Sequence, residues 1–497
     1  MNTLTMLVVM LTGLLTLLDW RKGMVMCVLI GVAQDPLRKL AAGQPVYYVV
    51  LVGVIFALTW IRAALMGVPL SPSAVQGWKQ NLKIPVSLFV TLVLAQAVHS
   101  LAAYDSLLMP GIGLLVWLSP IPAVVLAYQF AVRRGLAGVR GLMVAYVAIA
   151  LVSLSGVYLE YQGVQSRLLG EIGEGQIIYD VGTVLKAYSG FYRASEIAAW
   201  HAAAIACFIF MLSIGKKATV ARVLVALMLI AILVSLGILT GRRKMLVEIT
   251  VFICAYFFLV AWLQRGTARL AMVVLLAGAV GYIGIVGFVA PDNVQRSGNS
   301  TYVKNAQRIE GYAARGQTVF ADLPARVNQL GVQPILWAVD RFGWLGAGLG
   351  TGSQGTNAIA EANNIDRGAA EGGLGKITME LGVPGLLMAA WVLVALAHHL
   401  RRQLRPVVKV SPQHARMAFG MIAFLVANAA TFSVATQAYS DLFILLILGW
   451  CLGFLLAMPA LAVNGDAPRR RTPAGYPTRG SFGTVPSLQG QQRRPQG

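Results

Sequence analysis

Three constellations carry residues whose types and spacing suit chemistry, the third running from a glycine-rich turn to two later acidic stretches. Arg193 stands in Gly190–His201, at the mouth of an apolar run, with Glu196 about one turn on. Leu239-Thr240-Gly241-Arg242-Arg243-Lys244 puts three cations between two apolar runs with almost no loop. Gly346–Gly355 reads GAGLGTGSQG, so Gly348 and Gly350 sit in a glycine-rich turn. Beyond it come Glu371-Gly372-Gly373 and then Glu380-Leu381-Gly382-Val383-Pro384-Gly385. Clustered arginines at a membrane surface suit a diphosphate, because guanidinium is planar, permanently charged and bidentate toward phosphate oxygens. Glycines let backbone approach a ligand or form an anion nest. Glu371 has the chemistry of a general base toward a sugar hydroxyl.

Each stretch also has a plainer reading. Arg193 and Arg242 to Lys244 double as anchors at headgroup level. The glycines serve turns, and Glu371 reads equally as a solvated loop acid. His201, a turn or two inside an apolar run, reads as a packing residue. Glu248 lies two turns into another run, where a charge is costly, and calls for a partner such as a cation of the Arg242 cluster. Cys27, Cys207, Cys254 and Cys451 all sit in apolar stretches and show no metal or disulfide spacing. There is no phosphate-binding loop, dinucleotide fingerprint, His-Glu-x-x-His or Asp-x-Asp. No metal and no cofactor is therefore expected.

The elements that must hold these residues are membrane spans. The chain has 497 residues, 57% hydrophobic and 12% charged, with a mean hydropathy of +0.71. Soluble domains are about 45–50% apolar and about 25% charged, so a soluble enzyme, a disordered chain and a fibrous protein are excluded. Apolar runs lie near 3–19, 23–36, 45–66, 84–101, 107–131, 139–158, 196–214, 219–240, 244–263, 269–290, 377–399, 417–436 and 440–462. They are continuous, not alternating, which predicts helices rather than a barrel. The first two are short, so 12 or 13 cross and the side of the N-terminus stays open. The N-terminus lacks a basic region and a cleavage site, and reads as a membrane segment.

The organisation follows. Residues 1–158 form N-terminal spans, 159–195 an outer loop, 196–290 central spans, 291–376 a large outer loop and 377–462 C-terminal spans. Residues 463–497, rich in Pro, Gly, Gln and Arg, are expected to be a disordered basic tail on the cytoplasmic side. Within the large loop, 325–341 has helical apolar spacing and suits the membrane surface.

The net charge of +21 invites a nucleic-acid reading, but its distribution argues otherwise. Arg62, Lys79 and Lys83 share one connection; Arg133, Arg134 and Arg140 share another; the alternation continues to Arg401, Arg402 and Arg405 and into the tail. That is the positive-inside pattern. Of the 19 acids, 12 fall at 160–196 and 292–371, on the opposite face. No nucleic acid is expected as a partner; membrane lipids are. Arg193, Arg242 and Arg243 stand out because they lie on the side where this pattern places few cations.

Four features resemble the bacterial O-antigen ligase/polymerase superfamily of membrane glycosyltransferases. They are Tyr192-Arg193-Ala194-Ser195, the Leu-Thr-Gly-Arg-Arg turn, the Gly-x-Gly-x-Gly stretch from Leu345 to Gly352, and Glu380 to Leu387. They span about 185–400; the first 180 residues match in hydropathy alone. The resemblance implies an all-α polytopic membrane protein of 12–13 helices, GT-C-like, with a large periplasmic loop. It implies a metal-independent inverting glycosyltransferase in the bacterial inner membrane, using an undecaprenyl-diphosphate-linked glycan. Arg193, Arg242 and Arg243 would hold the diphosphate, with Lys244, Glu196, Gly348 and Gly350 in support. Many members carry a His about nine residues before the E-L-G run. Glu371 stands there here, similar to exopolysaccharide polymerase-like members with Ala-Glu-Gly.

The expected activity is polymerisation of lipid-linked repeat units into exopolysaccharide or O-antigen. The alternatives are a ligase moving finished glycan to lipid A core or protein, and a transporter or flippase of a polysaccharide export system. Other export proteins are candidate partners. A scaffold without activity would tolerate loss of both arginine sites.

Overall fold

Long apolar stretches in lipid leave the backbone no partner but itself, so each closes into a helix. A computed structural model describes residues 3–172, 177–180, 183–213, 219–263, 327–353, 356 and 372–464. The helices are α1 (Thr3–Leu18), α2 (Trp20–Leu40), α3 (Leu51–Leu65), α4 (Lys83–Tyr104), α5 (Leu108–Leu118), α6 (Pro120–Tyr161) and α7 (Ser195–Ser213). They continue with α8 (Val220–Leu239), α9 (Lys244–Leu263), α10 (Gln333–Phe342), α11 (Gly373–Val410), α12 (Pro412–Val434) and α13 (Leu442–Asn464). Among the described residues nine helices are long and apolar enough to cross a membrane. The protein is a predominantly helical, multi-pass membrane protein. The expected span 269–290, most of the large loop before Val327, and the tail beyond Asn464 lie outside the described residues.

The longest apolar helix, Leu108–Tyr161, has 54 residues, about 80 Å at 1.5 Å per residue, far more than the ~30 Å of a hydrocarbon core. Gly135 interrupts it at φ 67° and ψ −173°, a left-handed conformation open to glycine. The chain doubles back there. Along the first arm of α6, Ala123 lies against Gly449 and Phe130 lies 6.1 Å from Phe454, so both chains advance together. Along the second arm, Tyr146 is back beside Phe443 at 6.2 Å. The two expected spans, 107–131 and 139–158, are these antiparallel arms, joined at the basic turn of Arg133 and Arg134.

Gly382 breaks α11 in the same way, at φ 69° and ψ −173°. Its first arm, Gly373–Leu381, is buried almost throughout, whereas Leu387, Leu393 and Val394 of the second arm are exposed. The two arms have different neighbours: protein around the first, the apolar surroundings of the bundle along one face of the second.

The bundle has a centre and a rim. The window of α7 is 83% buried and that of α13 78%, against 22% for the helix containing α4. Trp20, Met24, Phe419, Phe424 and Phe443 are fully buried and form part of one continuous core. Among the described residues, the loop between α6 and α7 departs from the all-α expectation. Its strands β1 (Ile177–Asp180) and β2 (Thr183–Lys186) pair antiparallel, Ile177 opposite Lys186. In the large loop, the helix expected over 325–341 is present as a π turn, Val327–Val332, followed by α10.

Candidate functional site

The candidate site lies where the end of α2, the start of α7, the α8–α9 turn and the segment between α12 and α13 meet. Arg193, just before α7, is held from two sides. Its Nη1 donates to Asp35 Oδ1 at 2.9 Å and its Nη2 to Asp441 Oδ2 at 2.6 Å. Its backbone N–H donates to Asp35 Oδ2 at 3.1 Å. The segment before it is fastened too: Lys39 Nζ donates to the carbonyls of Gly190 and Tyr192 at 2.7 and 2.6 Å. Glu160 accepts from the Ser189 and Gly190 amides. Burial opposes the Arg193 charge, but Asp35 and Asp441 outweigh it and hold the guanidinium protonated above its ordinary range. The bidentate edges that phosphate would use face carboxylates. This placement suits a positioning residue, in contrast to the direct diphosphate contact expected of Arg193.

Arg242 is arranged differently. Thr240 and Gly241, the latter at φ 68°, end α8 and turn the chain directly into α9. Arg242 Nε then donates to Ser195 Oγ at 2.8 Å and Nη1 pairs with Glu196 Oε1 at 2.9 Å. Lys244 Nζ donates to Gln437 Oε1. Glu196, Arg242, Lys244, Glu248, Thr431 and Tyr439 line one small pocket of about 20 Å³, room for about one water. Two cations and two carboxylates therefore meet at one spot. Arg243, partly buried, is not among the pocket's lining residues.

Glu171 adds a group that the sequence gives no reason to single out from other loop acids. The strap it belongs to is tied down by the Ile172 amide, which donates to the Arg193 carbonyl at 2.8 Å. Burial pushes the Glu171 carboxyl up to about 7, and Glu196 adds repulsion; Arg242 and bonds from Ser195 pull the other way. The carboxyl is thus poised near neutral pH beside Arg242.

Glu248 takes a partner other than the cation expected for it. Asn428 Nδ2 donates to Glu248 Oε1 at 3.1 Å, while Asn428 Oδ1 accepts from Trp200 Nε1 at 2.7 Å and from the Tyr439 hydroxyl at 3.1 Å. An amide relay thus ties α7, α9 and α12 together. His201 is a packing residue: it hydrogen-bonds the Tyr146 hydroxyl at 2.7 Å and stacks on Tyr192 at 4.7 Å.

The glycine run packs helices. Gly348 and Gly350 have φ values of 103° and 87°. A Cβ on Gly350 would come 2.1 Å from the Met109 carbonyl oxygen, and one on Gly348 within 3.2 Å of the Ser100 backbone. The amides of Ala347, Leu349, Thr351 and Ser353 donate to carbonyls of Met379, Gln96, Gly348 and Gly350. Alternate N–H groups of the run are thereby committed to protein, so the run is a close-packed joint, in contrast to the anion cradle considered from sequence. Glu380 is likewise engaged: Trp117 Nε1 donates to it at 2.6 Å and Ser353 Oγ at 3.0 Å.

The structure thus brings Arg242, Lys244 and Glu196 together and sets Arg193 nearby as their support. Glu371 lies outside the described residues. Asp35, Asp441, Glu171 and Asn428 are the participants that sequence reasoning missed, because nothing local marks them. Among the described residues no group of three or more His, Cys, Asp or Glu is placed to hold a metal. No family model matches the chain, and no curated protein matches it.

Proposed function

We propose that this protein is a lipid-carrier-dependent glycan polymerase. It would join undecaprenyl-diphosphate-linked repeat units at the periplasmic face of a bacterial inner membrane, on a GT-C-like bundle. The observation that carries this reading is the pocket where Arg242 and Lys244 meet Glu196 and Glu248 beside apolar helices. A diphosphate, larger than this one-water pocket, would bind by displacing Glu196 from the Arg242 guanidinium, one anion for another. The acceptor sugar hydroxyl attacks the anomeric carbon as its bond to the phosphate oxygen breaks. The lipid diphosphate leaves with the electron pair, stabilised by Arg242 and Lys244. The hydroxyl proton passes to a carboxylate, the role proposed for Glu371. Arg193 positions Ser195 and Glu196 by fixing the entry to α7.

The test is chain growth by purified protein supplied with a lipid-diphosphate repeat unit. Arg242→Met and Glu371→Gln are each expected to slow growth by about 10²–10³-fold, the usual cost of one such group. Undiminished growth in Arg242→Met, with the fold intact, would overturn the reading. Gene deletion separates the close alternative: lost chain length marks a polymerase, and unattached polymer marks a ligase.

A transporter is the second reading, favoured by one observation. The broken helix α11 carries Lys376 and Glu380 on a largely buried arm, and discontinuous helices that carry polar groups are a feature of transporters. Uptake of lipid-linked glycan into proteoliposomes without any new glycosidic bond would support it.

A further inference from the structure

Trp344 and Leu345, just beyond α10, are 70% and 65% exposed. Their backbone is nevertheless fixed. The Trp344 carbonyl accepts from the Val383 amide at 2.9 Å, and the Leu345 carbonyl accepts from Gln96 Nε2 at 2.8 Å. Two large apolar side chains held out from a rigid edge call for an apolar partner.

The level of that edge follows from the helices around it. Arg401, on the second arm of α11, lies over the Trp262 ring at 5.5 Å, near the inner end of α9. Val383 precedes Arg401 by eighteen residues, as Lys244 precedes Trp262. Each interval is about 27 Å at 1.5 Å per residue. The break at Gly382 is therefore level with Lys244, at the outer end of α9. At the other end of the first arm, Gly373 packs on Phe432, close to the outer end of α12. Both ends of the first arm thus lie at the outer helix ends, and the arm runs along them, not down the bundle. α10 runs beside it in the same direction: Gly375 packs on Pro334, and Gly346 on Met379 and Gly382. The two helices form a platform in the plane of the outer membrane surface.

Polarity is ordered along the platform edge. Asp340 and Arg341 are exposed on the last turn of α10. Trp344 and Leu345 follow at the tip, and Leu387 is exposed one turn into the second arm. Charged side chains, then an aromatic, then aliphatic ones match the passage from headgroups into hydrocarbon.

We infer that this edge is a phospholipid-binding surface in the leaflet on the large-loop side. Asp340 and Arg341 lie among the headgroups, and Trp344 and Leu345 lie among the upper acyl chains. The inference goes beyond the polymerase reading and does not depend on it. Such an edge fixes the depth of the bundle, with Lys244 and the Arg242 turn held in the headgroup plane.

Nitroxide labels test it in the full chain, reconstituted in phosphatidylcholine–phosphatidylglycerol vesicles. Single labels at Arg341→Cys, Trp344→Cys and Leu345→Cys are compared on a Cys254→Ala background, since Cys27, Cys207 and Cys451 are buried. Molecular oxygen concentrates in hydrocarbon, whereas a nickel chelate stays in water. The ratio of oxygen to nickel collisions is expected to be roughly fivefold or more higher at positions 344 and 345 than at 341. Equal ratios at all three positions, whether high or low, would overturn the proposal by denying the order from headgroup to hydrocarbon. Low collision rates with both reagents at 344 and 345 would overturn it too, because they place the tip under protein, such as a second copy of the chain. Trp344 and Leu345 are both exposed, so a variant that fails to fold leaves the other to decide. No glycan is needed for these readings, so the absence of chain growth would end the polymerase reading and leave the lipid surface standing.

Discussion

Arg193 and Arg242 are the same residue type on the same face, yet their surroundings assign them different work. Arg193 is closed in by Asp35 and Asp441; Arg242 pairs with Glu196 and Ser195 at the wall of a pocket, with the Glu171 carboxyl nearby. Removing one partner of a buried ion cluster costs about 3–5 kcal/mol, so Arg193→Met should lower thermal stability strongly in detergent. Arg242→Met breaks one carboxylate pair where Arg193→Met breaks two, so it should cost less stability while losing chain growth. Equal destabilisation by the two would contradict this division. Both arginines stand out in the sequence as cations where the alternation of basic connections predicts few. The acids that hold Arg193 are not, because Asp35 lies 158 positions from Arg193 and only tertiary packing joins them; Glu196, the partner of Arg242, is singled out by the sequence. Glu171 supplies a pH prediction. Its folded carboxyl is raised to about 7 from an ordinary 4.5, so the folded state binds the extra proton between those values. This contribution to stability is present at low pH and is lost as pH rises from about 4.5 through about 7. Melting temperatures from pH 5 to pH 8 should fall less steeply in Glu171→Gln than in wild type.

At the scale of elements, two glycines decide where long apolar runs stop being single helices. Gly135 and Gly382 share nearly one backbone conformation, and both lie inside stretches that hydropathy reads as nearly continuous. The reversal at Gly135 is legible because basic residues flank it; the break at Gly382 is hidden inside the single apolar run expected over 377–399. Space around a glycine sets what a side chain would cost. Nothing lies within 4 Å of a Cβ on Gly135, so Gly135→Ala should cost only the conformational term, about 1–3 kcal/mol. Gly350→Ala adds a collision with the Met109 carbonyl and should lose most folded protein, measured as the monodisperse fraction after extraction. Comparable yields for the two variants would show that the joint between α4, α5 and α11 is looser than described.

For the whole molecule, fold class was the most legible property, since apolar length and alternating basic connections are both written locally. The centre of the bundle was less legible. α2 carries five charged side chains, Arg21, Lys22, Asp35, Arg38 and Lys39, and reads as a marginal span, yet Trp20, Met24 and Cys27 place it in the core. Topology yields a direct check with a membrane-impermeant maleimide. Cys27, Cys207 and Cys451 are buried and should stay unlabelled in intact cells. Lys186→Cys should label from outside, and Arg402→Cys only after the membrane is opened. Labelling of both in intact cells would refute the assigned sides.

The Asp35–Arg193–Asp441 cluster also sets a schedule for biogenesis. At about 5–20 residues per second, roughly 20–80 s separate synthesis of Asp35 from that of Asp441. Through that interval α2 sits in or near the bilayer with its carboxylate still waiting for Arg193, and Arg193 in turn waits for its second acid. The first helices to leave the ribosome are therefore among the last to be secured. A nascent chain halted before Asp441 should expose α2 to membrane proteases, making completion of the C-terminal helices the checkpoint for retention of the N-terminal ones.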